Sequence, residues 1–339
     1  MAHEARYDLF VGVDVAASTF TATWSTGDGR TAKPCTYPQT PRGFAAFQEQ
    51  LLTTTLLPAR SLVVLEATGS YWVALAVALH EAGYDVSVVN PLQIVNYAKS
   101  LPRRSKTDAR DAQLLTQYAW ERQPPAWTPP PRVYHELRQR LVARDAFVEM
   151  RQQARNHRHA LLQWPVHVAA VKDELDAVIA DFDDRITKLE QEIRTLLRDG
   201  AWAESARLLQ TIKSVGPLTA AWLLVLTLNF EQCATAEALA AYAGLAPVVR
   251  ESGSSVRGKP RVGPGGNKRL RTVVYVATFN AARFNPVIRA VYQRLVASGK
   301  PKKVARCAAA RKLLQVAWAV VTTKTAFDPQ YGEHRRRGA

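Results

Sequence analysis

The sequence predicts an α/β domain over residues 1–130, a coiled-coil helical hairpin over 131–200 and a mainly α domain over 201–335. Three observations carry this reading. Strand-length apolar runs alternate with amphipathic stretches in the first third of the chain. The segment QPPAWTPPPR at 123–132 has five prolines in ten positions, so it cannot continue a helix and forms a stiff extended connector. Residues 133–200 are long, polar and helical in pattern, broken once at Trp164 and Pro165.

The elements follow in order. LFVGVDVA and TFTATWST are strand-like runs and TAKPCTYP holds a short third strand, with turn signals between them. An amphipathic helix is expected around Phe44 to Leu56, then the strand LVVLEAT, a helix from Tyr71 to Glu81, the short strand DVSVVN and further helices to Trp120. The order is therefore three strands, then helix and strand alternating. Beyond the prolines, Leu175, Ile179, Phe182, Ile186, Leu189, Ile193 and Leu196 step by four and three, which is a heptad seam. Such a seam closes equally well within one chain or between two. The first arm carries Arg132, Arg138, Arg140, Arg144, Arg151, Arg155 and Arg158 against Glu136, Asp145 and Glu149, a basic face open to nucleic-acid backbone or simply to solvent. The segment LLQTIKSVGPLTAAWLL reads as two helices about a Val215-Gly216-Pro217 turn, either a packed corner or a phosphate-binding hairpin. Residues 205–335 are helical apart from ESGSSVRGKPRVGPGGNKRLR.

Composition excludes several classes. With 47% hydrophobic and 22% charged residues the chain is not a disordered basic protein. Its apolar stretches, such as AAWLLVLTL at 220–228, fall short of the roughly 18 residues that a membrane span needs. The N-terminus lacks a signal-peptide pattern, so a cytoplasmic location is expected. Cys35, Cys233 and Cys307 form no CxxC or CxxH pair, which argues against a disulfide framework and a zinc finger. Lys and Arg number 45 against 29 Asp and Glu, and the net charge of +16 favours a polyanionic partner.

Four carboxylates stand out. Asp14 lies inside an apolar strand, where an unpaired carboxylate is costly unless a cation or donor meets it. Glu66 ends another apolar strand where it gives way to a helix, and Asp108 and Asp111 are three apart on one helix face. After a βββαβα order, this is how a ribonuclease-H-like fold gathers acids around two divalent ions, which clamp the attacking and leaving oxygens of phosphoryl transfer.

With these residues placed, the chain resembles the DEDD transposases of the insertion-sequence family numbered one hundred and ten, relatives of the Piv and MooV DNA invertases. The anchors are GVDVA with Asp14, LEATGSY with Glu66, Asn90-Pro91, KTDARDA with Asp108 and Asp111, and later AGLAP, ESGSSVRG and the basic LR segment. The resemblance implies a RuvC-like N-terminal domain, a coiled-coil insertion and a transposase domain whose nucleophile maps to Ser252. It implies Mg²⁺ or Mn²⁺ at Asp14, Glu66, Asp108 and Asp111, donor and target DNA as partners, a noncoding guide RNA, and a homo-oligomer, dimer or tetramer. Lys106, Arg250, Arg257, Lys259, Arg261, Lys268, Arg269 and Arg271 are the expected nucleic-acid contacts. After the serine loop, RVGPGGNKRLR departs from the family pattern, with glycines and Pro264 where relatives often have a Ser-Lys pair.

Overall fold

A computed structural model of the chain describes residues 6–27, 30–55, 57–101, 107–248, 251–252, 256–257, 261–263 and 265–330. The chain forms two compact units, Met1–Pro129 and Pro130–Ala339.

The first unit is built on strands β1 (Leu9–Val15), β2 (Thr19–Ser25), β3 (Cys35–Pro38), β4 (Ser61–Glu66) and β5 (Asp85–Val89), in the sheet order β3-β2-β1-β4-β5. β1 pairs antiparallel with β2, and β2 antiparallel with β3, while β1, β4 and β5 run parallel. The parallel strands are apolar on both faces because helices cover both. Odd residues Leu9, Val11, Val13, Val63 and Leu65 pack with α1 (Pro41–Leu52) and α2 (Trp72–Glu81). Even residues Phe10, Leu62 and Val64 pack with α3 (Pro91–Lys99) and α4 (Asp108–Arg122). Helix α1 begins earlier than the apolar pattern suggests, since Thr40 caps the Gly43 N–H and Pro41 sits in the first turn. The Tyr7 hydroxyl donates to Asp85 at 2.8 Å, and burial, then this bond, pushes the phenol up to about 12. The proline connector is extended, and its Trp127 N–H donates to the Val86 carbonyl at 2.6 Å.

In the second unit α5 (Arg132–Leu161) and α6 (Ala169–Asp199) form an antiparallel hairpin. Ile179, Ile186 and Ile193 are buried, Phe182 meets Phe147 of α5 at 6.0 Å, and Leu175, Leu189 and Leu196 are partly covered. The seam thus closes within one chain. Five of the seven α5 arginines meet acids of α6: Arg140 donates to Glu192 at 2.8 Å and Arg144 to Glu190 at 2.7 Å, Arg151 and Arg155 share Asp183, and Arg158 lies 2.8 Å from Asp176. Part of their charge is offset across the hairpin, while Arg132 pairs with Glu136 of its own helix and Arg138 meets Tyr134.

At its base the hairpin enters the core of the helical region. Val133, Leu137, Leu141, Ile193 and Leu197 share one cluster with α7 (Ala203–Gln210), α8 (Pro217–Thr227), α9 (Ala236–Tyr242), α10 (Lys268–Phe284), α11 (Pro286–Ala297) and α12 (Lys302–Thr322). Every residue of α8 from Ala220 to Thr227 is buried, which accounts for its unbroken hydrophobicity. Among the described residues no helix is long and apolar enough to cross a membrane.

Candidate active site

The sheet brings Asp14 and Glu66 side by side. β1 and β4 run parallel with Val13 opposite Leu65, so Asp14 and Glu66 are the next residues along neighbouring strands, roughly 5 Å apart in backbone. Both are even-numbered and belong to the face that α4 covers. Side chains alternate along a strand, so they share that face with Phe10, Leu62 and Val64.

Helix α4 lies directly on β1, and Gly12 is the reason. A Cβ at Gly12 would stand 2.2 Å from the Thr116 nitrogen and 2.3 Å from the Ala112 oxygen, so only glycine admits this approach. The Thr116 hydroxyl donates to the Thr23 carbonyl of β2 at 3.0 Å, and Thr23 is opposite Gly12. Trp120 and Phe10 both lie against Gly27, just past β2. The helix therefore runs antiparallel to β1, with Trp120 at the level of Phe10 and the 112–116 turn at Gly12. Four helical residues advance about 6 Å and two strand residues about 6.6 Å. One turn further back, Asp111 and then Asp108 reach the level of Asp14.

Local chemistry also favours these positions. Thr107 caps α4 by accepting from the Arg110 N–H at 3.3 Å, and Asp108 and Asp111 occupy the first turn, where the positive helix end attracts carboxylates. Glu66 Oε1 accepts from the Thr68 hydroxyl at 2.7 Å, a partner that sequence reading missed although it lies two residues away in a local turn. Asp14 and Asp111 each have an interaction partner, and Asp108 is exposed. Among the described residues no three His, Cys, Asp or Glu side chains form a group that could hold a metal ion. Asp14 and Glu66 thus sit side by side at the ends of inner strands β1 and β4, and Asp108 and Asp111 in the first turn of the helix that packs on β1. As hard oxygen donors on partly exposed positions, they suit Mg²⁺ or Mn²⁺ better than a softer ion.

Ser252 lies in the second unit on a short ladder. Strand β6 (Pro247–Val248) pairs antiparallel with β9 (Arg261–Val262), and β7 (Glu251–Ser252) with β8 (Val256–Arg257), placing Ser252 opposite Val256. The glycines flanking this ladder have a packing reason. Gly244 and Gly266 have φ of +68° and +84°, and a Cβ on Gly266 would come within 2.4 Å of the Gly244 nitrogen. The two segments are sewn together by the Asn267 N–H donating to the Tyr242 carbonyl at 2.7 Å, while the Asn267 side chain caps α10 through the Leu270 N–H at 3.0 Å. The family departure in RVGPGGNKRLR is thus a close backbone contact with the AGLAP segment.

Two of the expected nucleic-acid contacts have partners within the protein. Arg269 forms an ion pair with Asp145 of α5 and stacks 4.2 Å above the Trp222 ring, and burial, then Arg144, pushes its guanidinium below the ordinary value. Arg271 donates to the Gly265 carbonyl at 2.7 Å and the Ala243 carbonyl at 3.2 Å. Arg271 thus ties the two glycine segments beside the ladder together, while Lys268 and Arg269 are exposed. Arg257 and Arg261 lie on the ladder strands. Lys106, Arg250 and Lys259 fall outside the described residues, as do the side chains of Ser252, Arg257 and Arg261. Two clefts of about 690 and 700 Å³ lie elsewhere in the second unit, lined by neither Ser252 nor the acids.

Over 326 residues the chain is 32% identical to a pilin gene-inverting protein of Moraxella lacunata, covering 96% of this chain and 99% of that protein. The same figures hold for a pilin gene-inverting protein of Moraxella bovis. Residues 11–164 match the DEDD transposase family of IS110, described as Transposase, and residues 206–293 match the Transposase IS116/IS110/IS902 family. The chain belongs to the IS110 family of transposases. A protein of insertion element IS110 from Streptomyces coelicolor is 32% identical over 160 residues, 45% of this chain and 39% of that protein. An IS110-family transposase is a DNA recombinase, so its substrate is DNA, and the first family match spans Asp14, Glu66, Asp108 and Asp111.

Proposed function

We propose that this IS110-family transposase cuts and rejoins DNA through a phosphoserine at Ser252, with Asp14, Glu66, Asp108 and Asp111 holding Mg²⁺ or Mn²⁺. The observation that carries the reading is the placement of Asp14 and Glu66 at neighbouring strand ends and of Asp108 and Asp111 in the first turn of the helix that packs on β1, set by the β1–β4 register and by Gly12 under α4. Bound there, a divalent ion would supply charge neutralisation at the phosphate oxygens. The Ser252 oxygen attacks phosphorus, the serine–phosphate bond forms, the bond to one sugar oxygen breaks, and that oxygen takes up a proton while Ser252 gives one up. Arg257, on the strand paired with that of Ser252, and Arg261, on β9, supply cations for the charge that develops on the phosphate. The phosphoserine conserves the bond, so an incoming strand hydroxyl can reverse the step and restore Ser252.

A noncoding RNA of the element guides target choice, and the working particle is a homo-oligomer. Both statements rest on the family resemblance. A second reading, DNA inversion without RNA guidance, is favoured by the near full-length similarity to two proteins named for pilin gene inversion.

The test is incubation of the protein with Mg²⁺ and element-end DNA, followed by denaturing electrophoresis. A covalent protein–DNA band, absent in Ser252→Ala and Asp14→Asn, is the expected result. Cleavage without an adduct in the parent protein would replace phosphoserine chemistry by hydrolysis at the metal site. Sequencing of RNA co-purified with the active protein separates guided from unguided recombination.

A further inference from the structure

The chain's charge excess has a definite location. Residues 252–327 contain sixteen Lys and Arg and no Asp or Glu, while the rest of the chain has 29 of each. This acid-free segment includes α10, α11 and α12.

Within it α10 leaves one face open. Lys268, Thr272, Val276, Phe279 and Arg283 follow helical spacing and are all exposed, while Leu270, Val274, Ala277 and Ala281 fill the core on the opposite side. On that face Val276 and Phe279 are exposed at 58% and 50%. Phe279 is held from behind. The Arg306 guanidinium of α12 lies 3.8 Å from its ring centroid and 5.4 Å from that of Tyr292, and Tyr275 meets it edge-on at 5.9 Å. One ring face is thus covered by a cation, which leaves the exposed area on the other. Lys302 and Lys303, exposed, lie one turn before Arg306 on the same helix.

We propose that this α10–α12 face binds unpaired DNA, with a base stacking on Phe279 and backbone phosphates met by Lys268, Arg283, Lys302 and Lys303. An aromatic ring in a cationic field matches a strand that presents π-faces and phosphates together. A closed duplex keeps its bases stacked inside and offers such a ring nothing, and the absence of carboxylates suits a polyanion. Recombination supplies the ligand, because strands are unpaired between cutting and rejoining. From Lys268 to Arg283 the face is about 22 Å long, room for roughly six stacked nucleotides. The proposal rests on the chain acting on DNA and is independent of the phosphoserine step, since it concerns binding alone.

The test uses the full chain in EDTA with fluorescent oligothymidine, a duplex of equal length and oligouridine. Phe279→Ala should weaken oligothymidine binding about tenfold and leave duplex binding within about twofold, while Phe279→Trp retains affinity. The proposal is overturned if Phe279→Ala binds oligothymidine like the parent, if duplex binding falls equally, or if oligouridine binding alone is lost. Should Phe279→Ala lose helical content by circular dichroism, Phe279→Leu, which keeps the bulk without the aromatic face, decides by the same comparison.

Discussion

A methyl group at position 12 would collide with the backbone of α4 at Thr116 and Ala112, and neither atom belongs to a flexible side chain that could move aside. Gly12→Ala must therefore push the helix off the sheet. The expected cost is about 1–3 kcal/mol, read as a lower melting temperature of the full chain. Because the displaced helix carries Asp108 and Asp111, cleavage should fall more steeply than stability, whereas Val13→Ala, on the opposite face, should lose stability with little extra loss of cleavage. Equal proportional losses in the two variants would refute a positioning role for Gly12. At this scale the sequence was informative about the acids and silent about what seats them. Asp14 and Glu66 are legible because each interrupts an apolar strand. Gly12 reads as one more small residue in a strand, since the atoms that demand it belong to Ala112 and Thr116, far along the chain.

The α5–α6 hairpin shows what an element's own pattern can and cannot say. The heptad seam of α6 is visible from Leu175 to Leu196, yet the pattern does not name its partner, and the structure places α5 of the same chain against it. The arginines of α5 look like a surface for DNA when read locally. Their acids lie 18 to 52 residues later, as in Arg158 with Asp176 and Arg140 with Glu192, beyond the reach of any local window. Self-association through this seam is accordingly not what a charge there would disrupt. Ile186→Glu should bury a carboxylate between two helices, destabilise the hairpin by several kcal/mol and lower helical content. Light scattering with circular dichroism checks it: a folded monomer replacing a larger parent particle would mean that the seam joins two chains instead.

Charge location, more than net charge, decides how the whole molecule meets nucleic acid. Outside residues 252–327 the chain is formally neutral, and on the hairpin five arginines lie beside carboxylates, which lowers the counterion release they contribute when a polyanion arrives. The exposed lysines of the acid-free segment stand differently, because no carboxylate exists within that segment to pair with them. Two double variants remove equal charge from the two places. Lys302→Gln with Lys303→Gln should reduce the slope of log affinity against log salt for oligothymidine by about 1.4, because each phosphate neutralised on a single strand contributes roughly 0.7. Arg140→Gln with Arg144→Gln removes the same two charges from beside Glu192 and Glu190 and should leave the slope nearly unchanged. Titrations across a salt series measure both, with hairpin content followed by circular dichroism. Equal slope changes in the two variants would mean that the protein meets the strand through its net charge alone. A change confined to the hairpin variant would return the nucleic-acid surface to α5.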